Sequence, residues 1–136
     1  MTLNVLFLLL MTLGGASLHP SASSGARLGE EFRIKIGQRI TIKGQRLSIR
    51  FTAVREDSRC PTGVQCVWAG NAAVVVEVSS KKKKAVQLTL NTNNLVKPNH
   101  EHNGYKIKLA GLKPYPKADQ RIEPKDYEAL LVVTKK

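Results

Sequence analysis

Between Glu31 and Ala53 the chain alternates apolar and polar residues almost without interruption. Phe32, Ile34 and Ile36 fall on one phase, against Glu31, Arg33 and Lys35. Ile40 and Ile42 alternate with Arg39, Thr41 and Lys43, and Leu47, Ile49, Phe51 and Ala53 with Arg46, Ser48, Arg50 and Thr52. A period of two sends successive side chains to opposite faces of a strand, so this stretch suits antiparallel strands with one face on a core and no amphipathic helix. The two interruptions, Gly37-Gln38 and Gly44-Gln45, predict tight turns.

The same reading extends to the C-terminus. Asn71 to Ser79 predicts a strand with Ala72, Val74, Val76 and Val78 toward the core, and Val75 on the other face predicts cover on both sides. Val86, Leu88 and Leu90 predict its hairpin partner, with Lys81, Lys82, Lys83 and Lys84 at the tip. Residues 91–104 read as a polar loop, Tyr105 to Leu109 as a strand, residues 111–126 as a Pro-rich connection and Tyr127 to Thr134 as a closing strand. The expectation is an all-β domain of about seven strands, either a small antiparallel barrel of the oligonucleotide/oligosaccharide-binding kind or a β-sandwich.

Charge begins only at Arg27. Before it, the run Leu3 to Leu13 is apolar apart from Asn4 and Thr12, too short to cross a bilayer and followed by small residues. Residues 1–26 therefore read as a signal peptide, cleaved after Ala16 or Ala26, and residues 27–136 as one secreted or periplasmic domain with no membrane-crossing segment, expected to be a monomer. In that setting Cys60 and Cys66, the two cysteines of the chain, most simply form one disulfide. Closing so short a ring adds roughly 2 kcal/mol in the chain-entropy model. CPTGVQC lacks the CxxC spacing of a zinc site.

The net charge of +12 favours acidic partners. Two arrays are candidates for an anionic polymer: Lys81 to Lys84, and the polar-phase row Arg33, Lys35, Arg39, Lys43, Arg46 and Arg50. Nucleic acid is disfavoured, because Phe32, Phe51 and Tyr105 share the core phase and leave that row without a stacking partner. No GxSxG, P-loop or dinucleotide fingerprint occurs, and His100-Glu101-His102 lacks the HExxH spacing. We expect no catalysis, no cofactor and no metal.

The remaining candidate is the loop itself. Pro61 and Gly63 restrict the ring, and Thr62, Val64, Gln65, Val67 and Trp68 are the side chains a stiff loop would present to a protein partner at low entropic cost. The alternative is a staple between strands. Trp68 has two readings as well, core over the disulfide, which the sequence favours, or anchor of an interface. Asp57 suits acceptance of backbone N–H bonds, and Gly70-Asn71 the bend into the next strand.

EDSRCPTGVQCVWAGNA, GYKIKLAGLKPYP and DYEALLVV, within residues 30–134, together resemble a group of small exported bacterial proteins and lipoproteins. These share a D-S-R-C-P stretch, a second Cys before V-W-A-G, a late P-Y-P and a closing Y-x-A-x-L-x-V strand. The resemblance implies a small barrel or sandwich and extends to the potempins, exported inhibitors of metallopeptidases. The resemblance thereby implies peptidase inhibition, and the stiffness of the loop makes the segment from Pro61 to Val67 the part expected to enter the cleft; the alternative, from the net charge, is binding of an anionic glycan or envelope polymer. Unlike the lipoprotein members, this chain has no Cys positioned for lipidation.

Overall fold

The computed structural model describes residues 25–81, 83–97 and 99–136. Among the described residues nine strands form two sheets. β1 (Gly25–Ala26), β3 (Arg39–Ile42), β4 (Leu47–Asp57), β5 (Ala72–Ser80) and β6 (Lys83–Asn91) make one, in that spatial order. β2 (Glu31–Lys35), β9 (Glu128–Lys135), β8 (Tyr105–Lys113) and β7 (Asn99–His102) make the other. Every pairing is antiparallel except that of β1 with β3.

One hydrophobic cluster draws on both sheets: Ile42, Leu47, Ile49, Phe51, Val74, Val76, Val78 and Leu90 from the first, Ile34, Ile107, Ala129, Leu131 and Val133 from the second. These are the residues that the two-residue period places on one phase. Val75 and Ala73, on the opposite face of β5, are also buried, as expected of a strand covered on both sides.

Both Gly-Gln pairs are turns, of different kinds. Gln38 N–H bonds Lys35 O at 2.9 Å, with Gly37 at φ 83°, and carries the chain from one sheet to the other. Gln45 N–H bonds Ile42 O at 3.1 Å, with Gly44 at φ 73°, and joins neighbours β3 and β4. Both have the positive φ at the third position that a type II turn demands.

Two strands were not expected. β1 pairs with β3 and buries Ala26. The apolar leader and the cleavage point after Ala16 lie outside the described residues, whereas cleavage after Ala26 would part β1 from the domain. β7 lies inside the segment read as a polar loop. Asn103 (φ 49°) and Gly104 (φ 78°) connect it to β8, two positive-φ residues in the hairpin turn that Asn-Gly favours. The hairpin signal was present, but a strand reading NHEH has no apolar phase to announce it.

Phe51 is wholly buried within the shared cluster. Phe51→Ala is expected to lower the free energy of unfolding by about 3–5 kcal/mol in a urea titration.

A candidate docking surface at the disulfide end

The loop between β4 and β5 has a hydrogen-bonded neck. Ser58 N–H donates to Asn71 O at 2.7 Å, Asn71 N–H to Ser58 Oγ at 3.1 Å, and Cys60 N–H to Ala69 O at 3.2 Å. Gly70, at φ 69°, lies so close to the opposing strand of the neck that a Cβ there would stand 1.8 Å from Ser58 O. Above the neck the Cys60–Cys66 disulfide closes the ring, with Cα atoms 6.0 Å apart. Within it Val64 N–H bonds Pro61 O at 3.2 Å around Gly63 at φ 82°, a third use of the type II geometry.

The neck is anchored by a residue whose role sequence reasoning missed. Arg59 is 8% exposed. Its Nε donates to Asp57 Oδ1 at 2.8 Å and its Nη2 to Asp57 Oδ2 at 2.7 Å, a bidentate pair. Nη1 donates to Leu112 O at 2.6 Å and Nη2 also to Pro114 O at 3.0 Å, which ties the neck to the end of β8. The guanidinium lies over the Tyr115 ring, 5.4 Å from its centroid. Tyr127 Oη donates to Asp57 Oδ2 at 2.9 Å, so Asp57 serves a side-chain clasp as well as accepting the expected backbone bond from Arg59 N–H at 3.4 Å. The one local signal was the Asp-x-Arg spacing, which places both side chains on one side of an extended segment. Nothing in a single sequence marks an Arg as buried, because its carbonyl acceptors are more than fifty residues away.

Burial pushes the Asp57 carboxyl up, but the hydrogen bonds from Arg59 and Tyr127 together outweigh it and hold the group below its ordinary 3.8. Burial, then the hydrogen bond to Asp57, push the Tyr127 hydroxyl from 10.0 up to about 12.

Two further segments join this end. Thr62 N–H and Oγ1 both donate to Pro116 O at 3.0 Å, docking the ring against the Pro-Tyr-Pro stretch. Asn71, buried, donates from Nδ2 to Asn91 Oδ1 at 2.9 Å and accepts from Asn93 N–H at 3.1 Å. Asn93 Nδ2 donates to Gly70 O at 3.0 Å, and Asn91 Nδ2 to Lys97 O at 3.1 Å. These bonds hold the segment after β6 against the neck.

The exposed large apolar side chains among the described residues are Val64, Val67, Trp68, Leu95, Val96 and Tyr115, and all six belong to these three joined segments. Val67 is fully exposed and Trp68 is 67% exposed, which overturns the reading of Trp68 as core. Pro61, Thr62, Gly63 and Gln65 line the same ring. Leu95, Val96 and Tyr115 were not foreseen, since only the tertiary bonds bring their segments to the disulfide.

The basic row does not form one ladder. Arg33 and Lys35 lie on β2, Arg39, Arg46 and Arg50 on or beside β3 and β4 in the other sheet. Arg39 is committed to Glu77 at 2.8 Å, Arg33 approaches Glu128 at 3.9 Å, and Arg50 stands opposite Glu77 in register. The stem of Lys43 packs over Gly25. Of the four lysines, Lys81 is at the hairpin tip and Lys83 and Lys84 begin β6; Lys82 lies outside the described residues. His100 and His102 share a face of β7, without a third His, Cys, Asp or Glu to complete a metal set among the described residues. No described helix is long and apolar enough to cross a membrane.

No family model, curated protein or solved structure matches this chain.

Arg59→Met keeps the stem and removes the fork. Leaving the half-buried Asp57 with Tyr127 alone, and the Leu112 and Pro114 carbonyls without their donor, is expected to cost about 2–3 kcal/mol in urea unfolding, below the cost of breaking a fully buried pair. The pH dependence has a definite sign. Because the folded Asp57 value is depressed, its contribution is complete above 3.8 and disappears as pH falls through the folded value. Because the Tyr127 value is raised, its contribution is complete below 10.0 and disappears as pH rises toward 12. Asp57→Asn should flatten the acid limb of a plot of urea midpoint against pH.

Gly63→Ala and Gly70→Ala separate backbone strain from collision. Both positions have positive φ, but the first opens to space and the second onto Ser58 O. The first should cost about 1–2 kcal/mol, and the second should cost more, compared by urea midpoints.

Proposed function

We propose that this chain is an exported, non-catalytic inhibitor that docks its disulfide end into the active-site cleft of a peptidase. The observation that carries the reading is the gathering of the exposed large apolar side chains on three segments locked together by Arg59, Thr62 and the Asn71–Asn91–Asn93 network. Interfaces take their affinity from a few central aromatic and aliphatic anchors, and a pre-ordered loop avoids the entropic cost of ordering on contact. Trp68 and Val67 are the central anchors, with Leu95 and Tyr115 flanking them. The resemblance to the potempins points to metallopeptidases as the first class to test. The intramolecular disulfide fits an extracellular setting. As scaffold we take the two sheets for a sandwich rather than a closed barrel, since among the described residues no ladder joins β6 to β7.

The oxidised protein, titrated into a panel of metallo- and serine peptidases, should inhibit at least one stoichiometrically. Trp68→Ala should weaken that inhibition about 30-fold or more, as for a hot-spot residue, and reduction of the disulfide should weaken it too. Absence of inhibition across the panel would sink the reading.

A further inference from the structure

The opposite end of the molecule has a different chemistry. β4 is eleven residues long, which sets its two ends on the order of 30 Å apart. The disulfide loop continues from one end. At the other, Arg46 precedes β4, and Leu47 stands in register with Ser80 at the hairpin tip. Two adjoining clefts of about 300 and 320 Å³ open there and share Arg46, Ser80 and Lys81. The first is completed by Thr41, Ser48 and Ser79, the second by Lys83, Asn103 and Tyr105. No carboxylate lines either one. Two acids of the strands that bear this end are paired, Glu77 of β5 with Arg39 and Glu101 of β7 with Lys136.

The hydroxyls carry the argument further than the charge does. Arg39 Nη1 donates to Ser48 Oγ at 3.3 Å and to Ser79 Oγ at 3.2 Å, and Asn103 Nδ2 donates to Ser80 Oγ at 2.9 Å. Each serine oxygen already accepts a bond, while among the described residues none of the three O–H groups donates one. Ser48 and Ser79 in the first cleft and Ser80 in both, beside the shared Arg46 and Lys81 and with Lys83 (its Nζ on Asn103 Oδ1 at 2.9 Å) in the second, offer hydroxyl donors and positive charge that suit a ligand rich in acceptors and negative charge. A sulfate or phosphate ester supplies both.

We propose that this cleft binds the sulfate or phosphate esters of an acidic glycan, a site independent of the peptidase reading. A glycan fits better than a nucleic acid because the cleft offers no base a platform. Its one aromatic, Tyr105, is half-buried against the core and donates its Oη to Gln45 Oε1 at 2.6 Å, whereas the exposed Trp68 and Tyr115 stand at the far end. Bound there, a polyanion would hold the protein while leaving the disulfide end free.

The test is binding of a heparin oligosaccharide and of a phosphorylated glycan of similar charge, by calorimetry at two salt concentrations, with single-stranded DNA of matched charge as the competing class. Arg46→Ser/Lys81→Ser/Lys83→Ser should weaken glycan binding at least tenfold and lower the salt slope, as expected when ionic contacts are lost. Ser48→Ala/Ser79→Ala/Ser80→Ala leaves the net charge unchanged and should weaken binding about fivefold. Lys108→Ser/Arg121→Ser/Lys125→Ser, which removes the same charge elsewhere, should leave binding within twofold. Preference for heparin or for the phosphorylated glycan tells sulfate from phosphate. Equal weakening by the two charge-removing variants, no effect of the serine variant, or tighter binding of DNA would each overturn the proposal. Backbone amide shifts of the wild-type protein on adding heparin must map to residues 46–48 and 79–83; shifts centred on Trp68 would also overturn it, whatever the stability of the variants.

Discussion

A single guanidinium, that of Arg59, holds together parts of the chain that lie far apart in sequence. Burying it costs a great deal of hydration, and the cost is met only because every nitrogen of the fork finds an acceptor: both oxygens of Asp57 and the carbonyls of Leu112 and Pro114. Satisfying it therefore requires the end of β4 and the end of β8, which belong to different sheets, to be in place at once. The disulfide restricts the ring above the clasp; the clasp decides where the ring stands on the protein. Tyr127 extends the same set of bonds to the entry of β9.

The strand directions then sort the surface. β4, β5 and β6 run antiparallel, so the loops at one end of the first sheet are the disulfide loop and the segment after β6, while Arg46 and the lysine hairpin meet at the other. The exposed apolar side chains and the serine hydroxyls are thus separated by the length of a strand. The net charge of +12 is not spread evenly: Arg39 and Lys136 are paired with Glu77 and Glu101, Arg33 approaches Glu128, and a cleft lined by no carboxylate remains at one end.

Much of this was legible in the residues. The period of two identified the core phase in β2, β3, β4, β5, β8 and β9, because a half-buried strand leaves no other arrangement for Ile34, Phe51, Val76, Ile107 or Leu131. It failed at β7, where the strand is polar on both faces and is held by backbone pairing with β8 and an Asn-Gly turn. The ring was legible as a stiff element, from Pro61, Gly63 and the paired cysteines. Trp68 was misread because a tryptophan is usually more favourably placed in a core, and only the orientation of the neck shows this one turned outward.

The sequence by itself determined an all-β chain, the phase of its strands and a short disulfide ring, since these depend on neighbours a few residues away. Tertiary structure decided which sheet each strand joined, the burial of Arg59, the joining of the segments of Leu95 and Tyr115 to the disulfide loop, and the division of the basic row. Those outcomes depend on acceptors and partners between twenty and seventy residues distant, which periodicity and spacing do not encode.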